Sequence, residues 1–252
     1  MRTSNLTRLR TLAAAAAIAT LAAVTPATSA SAADSPGDGP TQGPCAYTPL
    51  ADQTYSTWTG LPQDPRQTPS LGEQMVTLQT NHGDIPLVLD RALAPCTVQN
   101  IVFLAHQKYF DDTVCHRLTA YQTPPSALSV LQCGDPLGTG WGDPGYAFKD
   151  ELDSAKALPN WPGFPDGSRK NYTRGTLAMA NGGPDTNGSQ FFLVYKDSRL
   201  RPDYTVFGHV TEAGMKVLDE IAAGGIDPGT EGTPEDGAPA SPVVIERAKS
   251  GR

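Results

Sequence analysis

Glycine and proline interrupt this chain at short intervals, and that spacing constrains its fold more than any other feature. With 25 Gly and 23 Pro, the two residue types make up close to a fifth of the 252 residues. A long coiled coil is excluded, because such chains are dominated by Ala, Glu, Lys, Leu and Arg. Many short apolar segments separated by Gly and Pro turns instead predict a closed all-β barrel.

The secondary-structure pattern contains more strands than helices. Residues 75–80 and 85–89 flank Asn81-His82-Gly83-Asp84, which predicts two strands joined by a tight turn. A helix is predicted to begin at Pro95, and a second over residues 212–222 to end at Gly224. Two helices are too few for an alternating β-α-β layout. Further strands are predicted over residues 113–118, 128–133, 176–180, 190–194, 205–210 and 243–247.

The first 32 residues have the layout of a secretory signal peptide. Arg2, Arg8 and Arg10 form a basic head, residues 11–24 are apolar, and Ala30-Ser31-Ala32 fits a cleavage site. The apolar run is short for a membrane span of about 20 residues, although a retained membrane anchor is the alternative. We therefore expect a secreted or extracytoplasmic, cell-surface protein without stable membrane insertion after the signal is removed.

The rest of the chain divides into a tail and a body. Residues 33–70 are rich in Pro, Gly, Asp, Ser and Thr, which predicts a largely irregular tail. Residues 71–252 are expected to form the single folded domain. The formal net charge is −7, and the body has no Lys/Arg cluster, which argues against nucleic acid as a partner.

The four cysteines are Cys45, Cys96, Cys115 and Cys133. No pair is spaced C-x-x-C, so a zinc site is poorly supported. An even number of cysteines in an exported protein favours disulfides. Four buried thiols are the alternative, since free Cys packs as a small apolar residue.

Four segments carry the most specific pattern in the chain. They read GTLAMANGGPDTNGSQFF at residues 175–192, CHRL at 115–118, QCGD at 132–135 and TVFG at 205–208. Together they closely resemble the cyclophilin family of peptidyl-prolyl cis-trans isomerases, over about residues 74–249. The resemblance implies a closed eight-stranded antiparallel β-barrel capped by two α-helices. It also implies a monomer that acts on proline-containing polypeptides without a metal or other cofactor.

Arg117 stands at the position of the family's catalytic Arg. Rotation about an X–Pro bond crosses a barrier of roughly 18–20 kcal/mol, because the amide has partial double-bond character. The reaction needs a slot for the proline ring and a fixed positive group that stabilises the twisted amide more than the planar one. Arg supplies a permanently charged, rigid fork of donors. A surface ion pair is the alternative role of this side chain.

The resemblance assigns the other groove residues by position. Gln132 would orient Arg117 or bond the substrate backbone. His116 precedes the catalytic Arg and should point to the opposite strand face, where a packed structural role is expected. The substrate-binding residues would be Ala180, Asn181, Gln190, Phe192, Leu200, Tyr204 and Val130, with Phe192 as the floor of the proline pocket and Leu200 on its wall.

The sequence departs from the family pattern near the slot. The loop between Arg117 and Gln132 is longer than usual. Ser129 stands where an aromatic residue normally lines the slot, and Arg199 stands where an aromatic is common. Tyr121 could fold in from the longer loop to restore an apolar lining. An alternative function is therefore a catalytically weak proline-peptide binding module or chaperone on the same fold.

The resemblance also suggests a disulfide pairing. Because the family places Arg117 and Gln132 in one groove, they should face one another across a hairpin, which puts Cys115 almost opposite Cys133. Successive side chains of a strand point to opposite faces, which would place Cys115 and Cys133 on opposite faces of the hairpin. A β-bulge near the long loop would resolve this conflict. We hypothesise a Cys115–Cys133 bridge, which leaves Cys45 to join the tail to Cys96.

Overall fold

The computed structural model describes residues 41–122, 126–229 and 232–251. The expected signal peptide and the first residues of the expected tail lie outside the described residues. In chain order the strands are β1 Thr41–Gln42, β2 Thr48–Pro49, β3 Thr68–Pro69, β4 Glu73–Thr80, β5 Gly83–Asp90, β6 Thr113–Val114, β7 Arg117–Thr119, β8 Ser129–Cys133, β9 Tyr146–Ala147, β10 Lys170–Tyr172, β11 Thr176–Met179, β12 Phe191–Lys196, β13 Ser198–Leu200, β14 Val206–Val210, β15 Ile226–Asp227, β16 Asp236–Pro239 and β17 Val244–Ser250.

The described part of the chain holds three helices: α1 Pro95–His106, α2 Asp153–Ala157 and α3 Glu212–Ala223. The two predicted helices, α1 and α3, are confirmed, and the expectation of only two was wrong because the short α2 was not predicted. Pro suits the first turn of α1, where its missing N–H has no intrahelical partner to lose. None of the helices in the described ranges is long and apolar enough to cross a membrane.

Both long helices have capped N-termini. The N–H groups of Cys96 and Thr97 in α1 donate to the Glu151 carboxylate at 3.0 and 2.8 Å. In α3 the Thr211 hydroxyl accepts from the N–H of Gly214. These acceptors satisfy N–H groups that have no partner within the helix, so each helix begins at a defined residue.

Eleven strands form one curled antiparallel sheet, in the order β15-β16-β7-β8-β12-β11-β14-β5-β4-β17-β6. The predicted hairpin is confirmed, since β4 pairs with β5 as far as Thr80 opposite Gly83. The expected closed eight-stranded barrel is not confirmed, because this sheet is open at β15 and β6. The segment predicted as one strand over residues 113–118 divides at Cys115 and His116. Its first part, β6, pairs with β17, and its second part, β7, pairs with β8.

The curled sheet encloses the main core, and β12 contributes to two clusters at once. Phe191 and Leu193 pack into the main core together with residues of α1 and α3. Phe192 and Val194 point to the other face, into a smaller cluster with Val130 and neighbouring residues. This alternation follows from the period of two along a strand. It places Phe192 on the face that carries the candidate site.

The described part of the tail, residues 41–70, is held against the body. It is mostly irregular, with short strands, and β2 pairs with β9. Tyr47 packs edge-to-face on Tyr146 and Phe148, with ring centroids 5.8 and 5.4 Å away. Its hydroxyl donates to the Cys96 carbonyl at 2.8 Å. These contacts fasten the tail to the start of α1.

Candidate functional site

Arg117 on β7 is paired directly with Gln132 on β8, which confirms that the two face one another across a hairpin. Arg117 Nη1 donates to Gln132 Oε1 at 3.3 Å. Gln132 Nε2 donates to Gln190 Oε1 at 2.9 Å. Gln190 Nε2 in turn donates to the carbonyls of Gly140 and Gly142, both at 2.9 Å. Each side chain is oriented by the next, so the acceptor presented to Arg117 has a fixed position.

The other side of Arg117 is occupied by Asp236 on β16. Arg117 Nε and Nη2 donate to Asp236 Oδ1 and Oδ2, both at 2.7 Å. These hydrogen bonds are the main reason why the pKa of Arg117 is raised, so the guanidinium stays charged. Nothing in the sequence indicates this contact, because Asp236 lies 119 residues away from Arg117 along the chain.

A pocket of about 160 Å³ opens beside the guanidinium. Its floor is Phe192, which is 5% exposed and meets the Tyr204 ring edge-to-face at a centroid distance of 5.7 Å. Tyr172 supports this pair from behind, since its hydroxyl donates to the Tyr204 carbonyl at 3.2 Å. The pocket is lined by Arg117, Leu128, Val130, Gln132, Ala180, Asn181, Phe192, Leu200 and Tyr204. An apolar slot with one charged donor at its edge suits a proline ring and its amide.

A second cavity, of about 310 Å³, continues the groove. It shares Gln132, Ala180 and Asn181 with the first pocket, and it is also lined by Gln190 and Trp141. All the site residues assigned from the resemblance therefore line one of two adjoining hollows. Asn181 is fixed between them, because its Nδ2 donates to the Asp203 carbonyl at 2.9 Å. An extended chain could run from one hollow into the other past this residue.

The residues that depart from the family pattern lie outside the pocket. The Ser129 hydroxyl is buried and accepts from Gln122 Nε2 at 2.7 Å. The Arg199 guanidinium lies over the Phe164 ring, 5.3 Å from its centroid. Leu128, which the sequence analysis missed, supplies an apolar wall instead. The sequence could not indicate this role of Leu128, because the path of the long loop determines which side chain faces the slot.

Tyr121 does not line the proline pocket. Its hydroxyl donates to Asp236 Oδ2 at 3.3 Å, and its side chain lines a third hollow of about 640 Å³, which shares Arg117 and Gln132 with the proline pocket. Tyr121 thus contributes a contact to the carboxylate partner of Arg117 and no part of the apolar lining of the pocket.

Both hypothesised cysteine pairs are at disulfide distance. The Sγ atoms are 2.08 Å apart in Cys45–Cys96 and 1.99 Å apart in Cys115–Cys133. Cys133 follows Gln132 on β8 and is fully buried, so the second bridge lies on the face opposite the groove. The conflict of faces is resolved at Cys115 itself, where β6 ends before β7 begins. The expected bulge near the long loop was the wrong explanation.

His116, next to Arg117, is half-buried, and its two ring nitrogens are buried without a hydrogen-bond partner among the described residues. Burial is the main cause that lowers its pKa; the charge of Asp135 opposes this shift, and the charge of Arg117 adds to it. The folded protein therefore resists protonation of His116, whereas the unfolded chain binds the proton near the ordinary pKa of about 6.5. Stability contributed by neutral His116 is complete above that pH and declines as the pH falls below it.

We accordingly expect His116→Gln to reduce the fall in melting temperature between about pH 7 and pH 5.5. Melting curves of the variant and the parent protein at several pH values measure the difference, and contributions from other groups such as Glu151 cancel in it. The control is His209→Gln, because His209 is exposed. Parallel pH profiles for His116→Gln and the parent would contradict the expectation.

Comparison with known proteins shows which family this chain resembles in sequence and fold. The model for "Cyclophilin type peptidyl-prolyl cis-trans isomerase/CLD" matches residues 75–250. A probable peptidyl-prolyl cis-trans isomerase B of Mycobacterium leprae is 44% identical over 207 residues, which cover 80% of this chain and 65% of that protein. The chain thus spans slightly less than two thirds of that relative. A peptidyl-prolyl cis-trans isomerase B of Streptomyces anulatus is 40% identical over 195 residues, covering 70% of this chain and 96% of that protein.

A solved structure with a similar fold is a cyclophilin type peptidyl-prolyl cis-trans isomerase of Cryptosporidium parvum. It is 27% identical with a TM-score of 0.52, and the match covers 72% of this chain and 99% of that one. The Cryptosporidium protein was also solved in the presence of the dipeptide Ala-Pro, and that structure gives a TM-score of 0.51 at 26% identity.

Proposed function

The chain belongs to the cyclophilin-type peptidyl-prolyl cis-trans isomerase family, and from that premise we propose that it accelerates rotation about X–Pro bonds in polypeptides. The observation that carries the proposal is the position of Arg117, a charged fork of donors at the edge of an apolar slot floored by Phe192. A proline ring in this slot would bring its amide within reach of the guanidinium. Only a torsion changes, so the reaction requires no nucleophile and no proton transfer.

The rate gain would come from donors that bind the twisted amide more strongly than the planar one. In the planar amide the lone pair of the prolyl nitrogen is delocalised into the carbonyl. Twisting localises that pair on nitrogen and makes it an acceptor. Arg117, held in place before the substrate arrives, donates to the twisted form without reorganising. Phe192 and Leu200 would hold the ring while Asn181 and Gln190 hold the adjoining chain, so that the acyl side turns.

We further propose that the substrates are exported polypeptides. The two cysteine pairs are consistent with an extracytoplasmic protein, since disulfides persist in oxidising compartments. The predicted signal peptide over residues 1–32 supports the same location. We propose accordingly that the chain consists of that signal peptide, a tail over residues 33–70 and a catalytic domain over residues 71–252.

The alternative of a weak binding module finds less support in the groove. It depended on Ser129 and Arg199, and neither residue lines the pocket. The slot keeps an apolar wall through Val130 and Leu128. The same groove could still bind a proline peptide without turning it, so the two functions have to be separated by rate.

A protease-coupled assay on a short X–Pro peptide tests the proposal. The uncatalysed reaction takes tens to hundreds of seconds, and we expect the cis-to-trans rate to rise in proportion to the protein concentration. A parallel titration of the peptide into the protein measures binding. A folded protein that binds the peptide and leaves the isomerisation rate at its thermal value would establish the binding module instead.

A further inference from the structure

Arg117 is flanked on both sides of its strand by residues that fix it. Gln132 is its direct neighbour on β8, and Asp236 on β16 lies opposite Thr119. Thr119 is two residues from Arg117 and shares its face, so Asp236 is the diagonal neighbour of Arg117 across the strands. The two oxygens of Asp236 accept from Nε and Nη2 at 2.7 Å each. This fork-to-fork geometry determines the plane of the guanidinium as well as its position.

Asp236 is itself held by the backbone around it. Its N–H donates to the Thr233 carbonyl at 3.0 Å, and its own carbonyl accepts from the Thr233 N–H at 2.8 Å. The neighbouring Glu235 carbonyl accepts from the Ala120 N–H at 2.8 Å. The turn and the β7–β16 ladder thus fix the carboxylate from both sides, and the Tyr121 hydroxyl donates to its Oδ2 at 3.3 Å.

The contacts of Arg117 leave one nitrogen lightly engaged. Nε and Nη2 each have a short charge-assisted bond, whereas among the described residues Nη1 bonds only Gln132, at 3.3 Å. Arg117 lines both the proline pocket and the hollow that contains Asp236, so the guanidinium lies between its anchor and the slot. The anchor occupies two of the three nitrogens and leaves Nη1 as the donor that a substrate amide can recruit.

From this geometry we propose that Asp236 is a positioning residue for catalysis, which acts by holding the Arg117 guanidinium in the plane from which Nη1 donates to the twisting amide. The proposal rests on the isomerase function proposed above. An unanchored Arg has many rotamers, and ordering it during the reaction would raise the barrier. Asp236 removes that cost before the substrate binds. A carboxylate that merely weakened the charge of Arg117 would instead lower the rate. Removing Asp236 would then raise kcat, whereas removing a positioning residue would lower it.

Asp236→Asn is the variant that separates these roles. Asn has nearly the same shape but presents one acceptor and one donor group, so the donor group faces an Arg117 N–H without forming a bond. We expect kcat to fall by about tenfold, with KM unchanged within about twofold, because ground-state binding in the slot is retained. Asp236→Glu restores both acceptors and should recover most of the lost kcat.

The chain provides a matched control in a second bidentate pair. Arg174 Nη1 and Nη2 donate to Asp219 Oδ1 and Oδ2 at 2.6 and 2.7 Å, and neither residue lines a groove cavity. Asp219→Asn removes the same kind of interaction and should leave both kcat and KM unchanged. If Asp219→Asn lost as much rate as Asp236→Asn, the effect at Asp236 would be a general structural one, and the positioning role would be wrong.

An NMR measurement tests the anchor independently of turnover. The Arg117 Nε–H, bonded to a carboxylate, should give a resolved ¹H–¹⁵N signal that exchanges slowly with water, and Asp236→Asn should broaden or remove it. Assignment follows from loss of the signal in Arg117→Lys. An inactive parent protein would contradict the proposed function while this signal still reports the anchor. An active parent whose Asp236→Asn variant keeps or exceeds its kcat, or keeps the Arg117 signal, overturns the positioning role.

Discussion

Arg117→Ala should lower kcat/KM for an X–Pro peptide by about a hundredfold, the largest effect on activity that we expect from a single substitution. Removing one pre-oriented donor to a transition state typically costs roughly 2.7–4 kcal/mol. Arg117 is the charged donor at the edge of the slot, and Gln132 beside it carries no charge to replace it. Folding should survive, because the Arg117 side chain is 39% exposed, and an ion pair at that exposure adds little stability.

The measurement is the protease-coupled rate, accompanied by a melting curve to verify folding. Arg117→Lys keeps the charge but loses the fork, so it should fall between the parent and Arg117→Ala. Arg174→Ala removes an Arg with the same type of carboxylate partner away from the groove, and its rate should equal that of the parent. A folded Arg117→Ala protein with most of its activity would exclude Arg117 from the catalytic role.

Local patterns predicted much of the fold. The β4–β5 hairpin and helices α1 and α3 follow from signals within about ten residues of each element: an apolar run, a turn, a capping residue or a Pro. The open end of the sheet does not follow from such signals, because the break at Cys115 and His116 depends on which distant strand each half of the segment meets. Helix α2 is five residues long and contains too few turns for a periodic pattern.

The candidate site shows the same division. The motif over residues 175–192 assigned Asn181, Gln190 and Phe192 to the site, and all three line its adjoining hollows. A strand and its neighbouring turn keep their geometry when the motif is present. Asp236 and Leu128 were missed, since loops of this chain's own length and path bring them to Arg117 and to the slot. The residues that adjust a site can therefore lie outside the motif that identifies it.

Loss of the Cys45–Cys96 bridge should give the largest change in stability, about 4 kcal/mol of unfolding free energy. The bridge joins residues 51 positions apart, and closing a loop of that length removes roughly that much entropy from the unfolded chain. The shorter separation of 18 in Cys115–Cys133 predicts about 3 kcal/mol. We expect Cys45→Ser with Cys96→Ser to lower the melting temperature by about 10 °C, because a domain of this size loses roughly 2–4 °C per kcal/mol.

The pairing itself has to be established first, and the sequence makes this direct. Trypsin cleavage after Arg91, Lys108, Arg117 and Lys149 places Cys96, Cys115 and Cys133 on separate peptides, residues 92–108, 109–117 and 118–149. Under non-reducing conditions 109–117 should be linked to 118–149, and the peptide that contains Cys45 should be linked to 92–108. The Cys45 peptide linked to 109–117, or free thiols throughout, would refute the pairing. If the pairing is correct but the double variant has the melting temperature of the parent, the bridge does not stabilise the fold through chain entropy. The packing of Tyr47 would then be what holds the tail.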